Sequence, residues 1–256
     1  MSPPLCKTRK RGFSLTELLA ALAVAAVLLG ILLPLAGRQR QAAQAGRCAG
    51  NLRQLGVALT LYATENNGYL LPCYIEAGTL GETVGARLWY QALHYANPAT
   101  YKGEGILPNA NPNHDPRLLT VYNCPSNPDR IGHWGTPSYA YSGALGMYRP
   151  ADSEQKPIRI RLTNLDEPSR VVAMVDAGLR TLNPAPPNVV CYRTEPTGTF
   201  EWRRSVHFDL HPGRKANFLL VDGHVEAIPL AEVERRFADK TLLWSRNNLS
   251  GTAGRW

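Results

Sequence analysis

The chain is 256 residues long with 44% hydrophobic composition, enough to bury one good-sized core with room for a small satellite. Its formal net charge of +8 does not single out a nucleic-acid binder: Lys7, Arg9, Lys10 and Arg11 supply four of the 28 basic charges, and the remaining 24 face 20 acidic ones. None of the five cysteines (Cys6, Cys48, Cys73, Cys124 and Cys191) forms a C-x-x-C pair, which argues against a zinc knuckle or a thioredoxin-like site.

The first element is the most informative. A basic leader (residues 7–11) runs into Gly12-Phe13, then one acid, Glu17, then residues 18–36 without a formal charge. Counted from Phe13, a helix rising about 1.5 Å per residue covers roughly 36 Å by Ala36, enough for a hydrocarbon core of about 30 Å. The basic end fixes the N-terminus in the cytoplasm. An ordinary secretory signal fits poorly, because Arg38 and Arg40 separate the apolar run from the nearest A-x-A, Ala43-Gln44-Ala45. An acid in an apolar helix costs about 2.5–3.5 kcal/mol at the bilayer centre and less at the interface, so Glu17 either lies among headgroups or has a partner.

The helical pattern continues beyond the span. Cys48, Leu52, Leu55, Leu59 and Tyr62 fall at spacings of four, three, four and three, one stripe of an amphipathic helix. The expectation is one long helix over residues 14–66, kinked near Pro34 and stopped by Asn66-Asn67-Gly68, where Asn and Gly tolerate the left-handed conformation. Residues 69–130 read as irregular, with a helix over 84–95 and an aromatic flavour from Trp89, Tyr90, Tyr95 and Tyr101. Residues 150–169 read as a loop, residues 170–175 as a buried strand ending at Asp176, and residues 182–198 as a proline-rich surface insertion. Residues 216–221 and 224–228 flank Asp222-Gly223, which predicts a hairpin with a two-residue type I′ turn. A short amphipathic helix is expected over about 230–239.

Lys10-Arg11-Gly12-Phe13-Ser14-Leu15-Thr16-Glu17-Leu18-Leu19-Ala20 resembles the cleavage and methylation signal of type IV prepilins and type II secretion pseudopilins. The resemblance implies cleavage between Gly12 and Phe13 by a prepilin peptidase and methylation of Phe13. Glu17 becomes the fifth residue of the mature chain, an assembly residue whose partner is the N-terminal amino group of a neighbouring subunit. Pro34 matches a helix-kinking proline common in these proteins. Cys48-x-x-Asn51-Leu52-Arg53-Gln54-Leu55-Gly56 and a Cys124-Pro125-Ser126 turn before a short strand look like a large pilin-like group found in planctomycetes and verrucomicrobia. That group carries a C-terminal signature of the form H-x9-D-G. Here His211, Gly213, Asn217 and Asp222-Gly223-His224 match it, with ten residues between His211 and Asp222 rather than nine. An insertion in a loop before a strand accounts for the extra residue.

Cleavage removes Cys6, and the four remaining cysteines permit two disulfides in any of three pairings. Four other chemistries rank below architecture. In an extended strand, His207, Asp209 and His211 share one face and offer transition-metal ligands. Asp176, Asp209 and Asp222 are the candidate carboxylates for a calcium-ordered loop, although no ligand-dense motif is present. Arg203, Arg204, Arg214 and Lys215 lie near Trp202 and Phe208, a set suited to phosphate contact and base stacking on DNA. A hydrolase is weakest: neither Ser142-Gly143 nor Ser205 sits in a nucleophile turn.

The expected fold is α+β, with a long N-terminal helix whose second half packs on a small antiparallel sheet built around residues 171–175, 217–221 and 224–228. The expected organisation is a cleaved leader (1–12), a transmembrane and assembly half-helix (13–36), an exported amphipathic half-helix (37–68) and a globular domain (69–256). No catalytic residue and no cofactor are expected. The expected location is the inner membrane, crossed once, with the globular domain outside the cytoplasm. Expected partners are the prepilin peptidase, further copies or other pseudopilins, the inner-membrane platform of a secretion or pilus system, and the bilayer. The runner-up is a signal-anchored extracytoplasmic binding domain that never polymerises.

Overall fold

The computed structural model describes residues 14–75, 87–94, 121–127, 137–142, 145–148, 158–177, 189–190 and 206–243. Residues 1–41 and 42–256 form two compact units. Helix α1 (Leu15–Glu65) supplies the described part of the first and opens the second, matching its expected bounds to within one residue at each end. It runs through Pro34 as one element.

In the first unit, the large apolar side chains from Leu15 to Leu33 are exposed, including Val27 at 64% and Leu33 at 69%. An 18-residue window of α1 reaches a mean hydropathy of 2.8 with none of it buried. Alanine and leucine dominate this stretch and are strong helix formers. A helix also satisfies its own backbone groups, the requirement for crossing hydrocarbon. So large an apolar surface is not stable in water and calls for lipid or another apolar partner.

The second unit opens with the amphipathic half of α1. Cys48, Leu52 and Leu55 are fully buried, Leu59 is buried and Tyr62 is half-buried, so the stripe read from the sequence is the packing face. Full burial of one leucine contributes about 1.5–3 kcal/mol. The helix stops where expected: Asn67 takes φ 54° and Gly68 φ 79°, and the Gly68 amide donates to the Ala63 carbonyl at 2.7 Å. That bond closes a Schellman-type cap.

The main sheet contains β3 (Tyr139–Ser142), β6 (Val172–Asp176), β7 (Val189–Val190), β8 (Lys215–Leu220) and β9 (Val225–Pro229). Its order is β7-β3-β6-β8-β9, with β3, β6, β8 and β9 antiparallel and the two-residue β7 parallel to β3. Both faces are covered, and period-two alternation sorts the side chains. Tyr139, Tyr141 and Leu219 join the cluster built on the α1 stripe. Ala140, Phe218 and Leu220 join a second cluster that includes Val233 of α3 (Leu230–Ala238) and Ile228. A bulge shifts the register between Val172 and Met174. It lets the adjacent Ala173 and Met174 both reach the α1-side cluster.

A second, four-stranded sheet was not expected. It contains β1 (Tyr74–Ile75), β2 (Arg87–Leu88), β4 (Gly146–Tyr148) and β5 (Ile158–Arg159) in the order β2-β1-β4-β5. Its strands are two or three residues long, too short for a periodic pattern to show. β5 falls in the segment read as loop, and β2 falls in the segment read as helix. Among the described residues of that segment, the helical part is α2 (Trp89–His94). Trp89 is buried among Tyr90, Tyr122 and Tyr141, with centroid distances of 5.6–6.1 Å.

The hairpin β8–β9 exists, but its turn is not the predicted two-residue type I′. Gly223 has φ 94° and Asp222 is not in the positive-φ region. Leu220 N donates to His224 O, and Gly223 N donates to Leu220 O, both at 2.9 Å. This is a three-residue loop, a type I turn followed by a left-handed glycine. The turn lies against α1: a Cβ added to Gly56 would sit 2.9 Å from Leu219 Cδ1 and 3.5 Å from Gly223 Cα. β9, expected near the centre of the sheet, is its edge beside β8 among the described strands.

The α1 stripe makes an asymmetric forecast. Leu55→Ala should lower the unfolding free energy of the second unit by about 2–5 kcal/mol. Val57→Ala, two positions away and 70% exposed, should change it by less than about 0.5 kcal/mol. Urea unfolding of the full chain in mild detergent, followed by tryptophan fluorescence, reads both; equal losses would show that the stripe is misassigned.

Candidate functional site

The N-terminal turn of α1 presents the first candidate site. Gly12 and Phe13 lie outside the described residues, whereas Ser14 and Glu17 are described and exposed. Ser14 N donates to Glu17 Oε2 at 2.9 Å, and Glu17 N donates to Ser14 Oγ at 3.2 Å. These reciprocal bonds form a capping box, which satisfies two amide donors that an α-helix leaves open at its start. An acid in the first turn is also favoured by the helix dipole. Sequence reading found Glu17 as a possible pairing residue and passed over its local duty. The S-x-x-E spacing was the available signal.

The second candidate is a buried polar cluster at the end of the main sheet. β6 terminates at Asp176, which opposes Tyr139 across the β3–β6 ladder. On β8, Asn217 lies between Ala216 and Phe218, which face the opposite cluster. Alternation therefore turns Asn217 to the α1 side. His211 enters from the tight turn before β8, where Gly213 and Arg214 adopt φ 80° and 52° and His211 bridges Lys215.

His211 Nε2 is 2.9 Å from Asp176 Oδ2 and 3.0 Å from Asn217 Nδ2, and Asn217 N donates to Asp176 Oδ2 at 2.6 Å. Asp176 is fully buried, and the His211 side chain is 4% exposed. Burial, then the Asp176 carboxylate, push the Tyr139 hydroxyl well above its ordinary pKa, against a smaller opposing effect from its hydrogen bond with Asn51. Tyr139 thus stays a neutral donor, and its hydroxyl bonds the Cys48 carbonyl at 3.3 Å.

A disulfide closes the cluster. Cys48 of α1 is bonded to Cys124, with Cα atoms 4.9 Å apart. Cys124 heads a turn in which Asn127 N donates to Cys124 O at 3.0 Å, and Pro125 is well placed in such a turn. Asn51 Nδ2 donates to Asn123 O at 3.0 Å. This settles one pairing that the sequence left open. Cys73 lies in the core apart from that bond, and Cys191 lies outside the described residues.

The expected signature residues therefore divide. Asn51, Cys124 and His211 meet at the cluster, while Gln54 is exposed. Asp222 and Gly223 serve the hairpin turn, where Asp222 Oδ1 accepts from His224 N at 3.1 Å and lies 2.8 Å from its Nδ1. The H-to-D-G spacing links two structural positions, and His211's carboxylate partner is Asp176, not Asp222.

Among the described residues, the groupings expected for a metal or calcium do not form as drawn. Residues 208–210 make a 3-10 turn, so His207, Asp209 and His211 do not line one face of a strand. Asp209 instead pairs with Arg214 at 3.2 Å on the surface. The three carboxylates proposed for calcium separate onto His211 (Asp176), Arg214 (Asp209) and His224 (Asp222). Phe208, offered for base stacking, is buried with its ring 6.4 Å from Phe218. Trp202, Arg203, Arg204, Gly143 and Ser205 lie outside the described residues, and Ser142 is buried in β3.

A family model described as the prokaryotic N-terminal methylation motif matches residues 7–33. No curated protein and no solved structure matches the chain. The chain carries a prepilin-type signal at its N-terminus, and the match covers the basic leader, Gly12-Phe13, Glu17 and most of the apolar run.

Removing one partner of the buried pair should be costly. His211→Ala leaves the Asp176 carboxylate buried with little beyond the Asn217 amide, and should destabilise the second unit by about 3–5 kcal/mol. Asp222→Ala, in the half-exposed turn, should cost less than about 1 kcal/mol. Chemical unfolding with near-UV dichroism compares the two, and the opposite ranking would show that the hairpin turn, not the cluster, organises this end of the sheet.

Proposed function

We propose that the chain is a structural subunit of the pilin or pseudopilin kind, processed by a prepilin peptidase and assembled in a type II secretion or type IV pilus-like system. The observation that carries this reading is the methylation motif at residues 7–33, continuous with a helix whose apolar side chains stand exposed. A peptidase cut after Gly12 removes residues 1–12 and leaves Phe13 as the methylated first residue. Residues 13–36 hold the subunit in the inner membrane as a single pass and then supply the apolar core of an assembly. Residues 37–68 carry the rest of the helix into a domain outside the cytoplasm, where residues 69–256 fold. The partners are further copies or other pseudopilins and the inner-membrane platform of the system. The Cys48 to Gly56 pattern and the His211, Asp222-Gly223 signature support a place in the large planctomycete and verrucomicrobial group.

Glu17 sets subunit register in this reading by pairing with the amino group of a neighbour's first residue. Its capping bonds to Ser14 are compatible with that role, because one carboxylate accepts several hydrogen bonds. They also mean that an alanine substitution disturbs two things at once. Glu17→Gln separates them, since glutamine completes the same capping box and carries no charge.

In membranes, Glu17→Gln should insert and be processed like the parent chain, while cysteine-specific or photoactivated crosslinks between neighbouring subunits fall at least about tenfold. Crosslinks at parental levels in Glu17→Gln would remove the charge-pairing role and leave Glu17 as a helix cap.

A further inference from the structure

The cluster around Cys124 holds more ligand chemistry than its packing uses. Cys48 Sγ, Cys124 Sγ and a ring nitrogen of His211 lie within 4.8 Å of one another, and all three residues are buried. His211 Nε2 is 3.9 Å from Cys124 Sγ and 2.9 Å from Asp176 Oδ2. Two further atoms of the group, Asp176 Oδ1 and His211 Nδ1, are buried without a hydrogen-bond partner. Buried polar atoms are nearly always paired, so these two orphans leave donor capacity at the cluster that its packing does not use. Two sulfurs and one imidazole nitrogen supply three of the four donors of a tetrahedral Zn²⁺ site.

We propose that the chain with the Cys48–Cys124 disulfide reduced binds one Zn²⁺ through Cys48, Cys124 and His211, with a water molecule in the fourth position. Disulfide and metal exclude each other, because both need the same two sulfurs. Reduction by a phosphine converts the disulfide and one water into two thiols and the phosphine oxide. Zn²⁺ then displaces the two thiol protons to solvent and is held by two thiolates, a neutral imidazole and a water. In the reverse direction, a small-molecule disulfide takes two electrons from the thiolates, becomes two thiols after protonation, and the metal leaves. Either state ties α1 to the Cys124 turn, so the site keeps the second unit closed across a change of redox conditions. The sequence-level metal candidate placed His211 with His207 and Asp209; the geometry instead gives His211 the two cysteines.

The test uses the full chain in detergent micelles, reduced with a phosphine and titrated with Co²⁺ as a spectroscopic stand-in for Zn²⁺. One Co²⁺ per chain should bind with thiolate-to-metal charge-transfer bands and visible bands of tetrahedral intensity, and Zn²⁺ should bleach them. Cys73→Ala and Cys191→Ser should leave the spectrum unchanged. Cys124→Ser should abolish the charge-transfer bands, and His211→Gln, which keeps both thiols, should weaken binding about tenfold or more. Far-UV dichroism checks that each variant is folded, and His211→Gln carries the test if Cys124→Ser is not. The proposal is overturned if reduced parent chain gives no tetrahedral bands, if His211→Gln binds like the parent, or if the oxidised chain gives the same spectrum.

Discussion

One helix lives in two environments, and the constraint that makes this possible is a single buried stripe on its second half. Cys48, Leu52, Leu55 and Leu59 are buried, whereas Leu18 to Leu33 expose apolar side chains around the helix. Hydrophobic burial drives the first set onto the sheet, and the same effect excludes the second set from water. The stripe also places the bonds that secure it: Cys48 to Cys124, Asn51 to the Asn123 carbonyl, and Tyr139 to the Cys48 carbonyl. Gly56 completes the approach by letting the hairpin turn at Gly223 come close to the helix.

The polar cluster at the sheet end is the other specific feature of the second unit. It gathers the terminal residue of β6, a residue of β8 and the turn before β8 around one imidazole. A buried carboxylate must be hydrogen-bonded to be tolerated, and Asn217 and His211 supply those bonds. These bonds account for a His–Asn–Asp set beside the disulfide in terms of packing and charge burial. The residues expected to form a C-terminal signature separate in the structure: His211 belongs to the core, and Asp222-Gly223 belongs to the turn.

The long elements were legible because their periods were long enough to be read. The α1 bounds, its C-terminal stop, strands β6, β8 and β9 and helix α3 all fall within two residues of expectation. The short second sheet was not legible, because two-residue strands carry no alternation to detect. Type I′ was the wrong turn for Asp222-Gly223, since that dipeptide also suits a type I turn with a left-handed glycine and only strand register separates the two. Asp176 was readable as an acid ending an apolar strand, but nothing local pointed it at a histidine 35 positions later. Pairings of that range are set by the sheet order, which sequence patterning did not reach. The Ser14–Glu17 capping box was readable and was eclipsed by the stronger methylation signal around it.

The central claim is that the N-terminus is a processed assembly device and not a plain anchor. Intact-mass and N-terminal peptide mass spectrometry of the protein purified from its native membranes tests it most directly. A mature chain that begins at N-methylated Phe13 is the result the account requires; a chain that begins at Met1, or near Gly46 after the A-x-A, would contradict it.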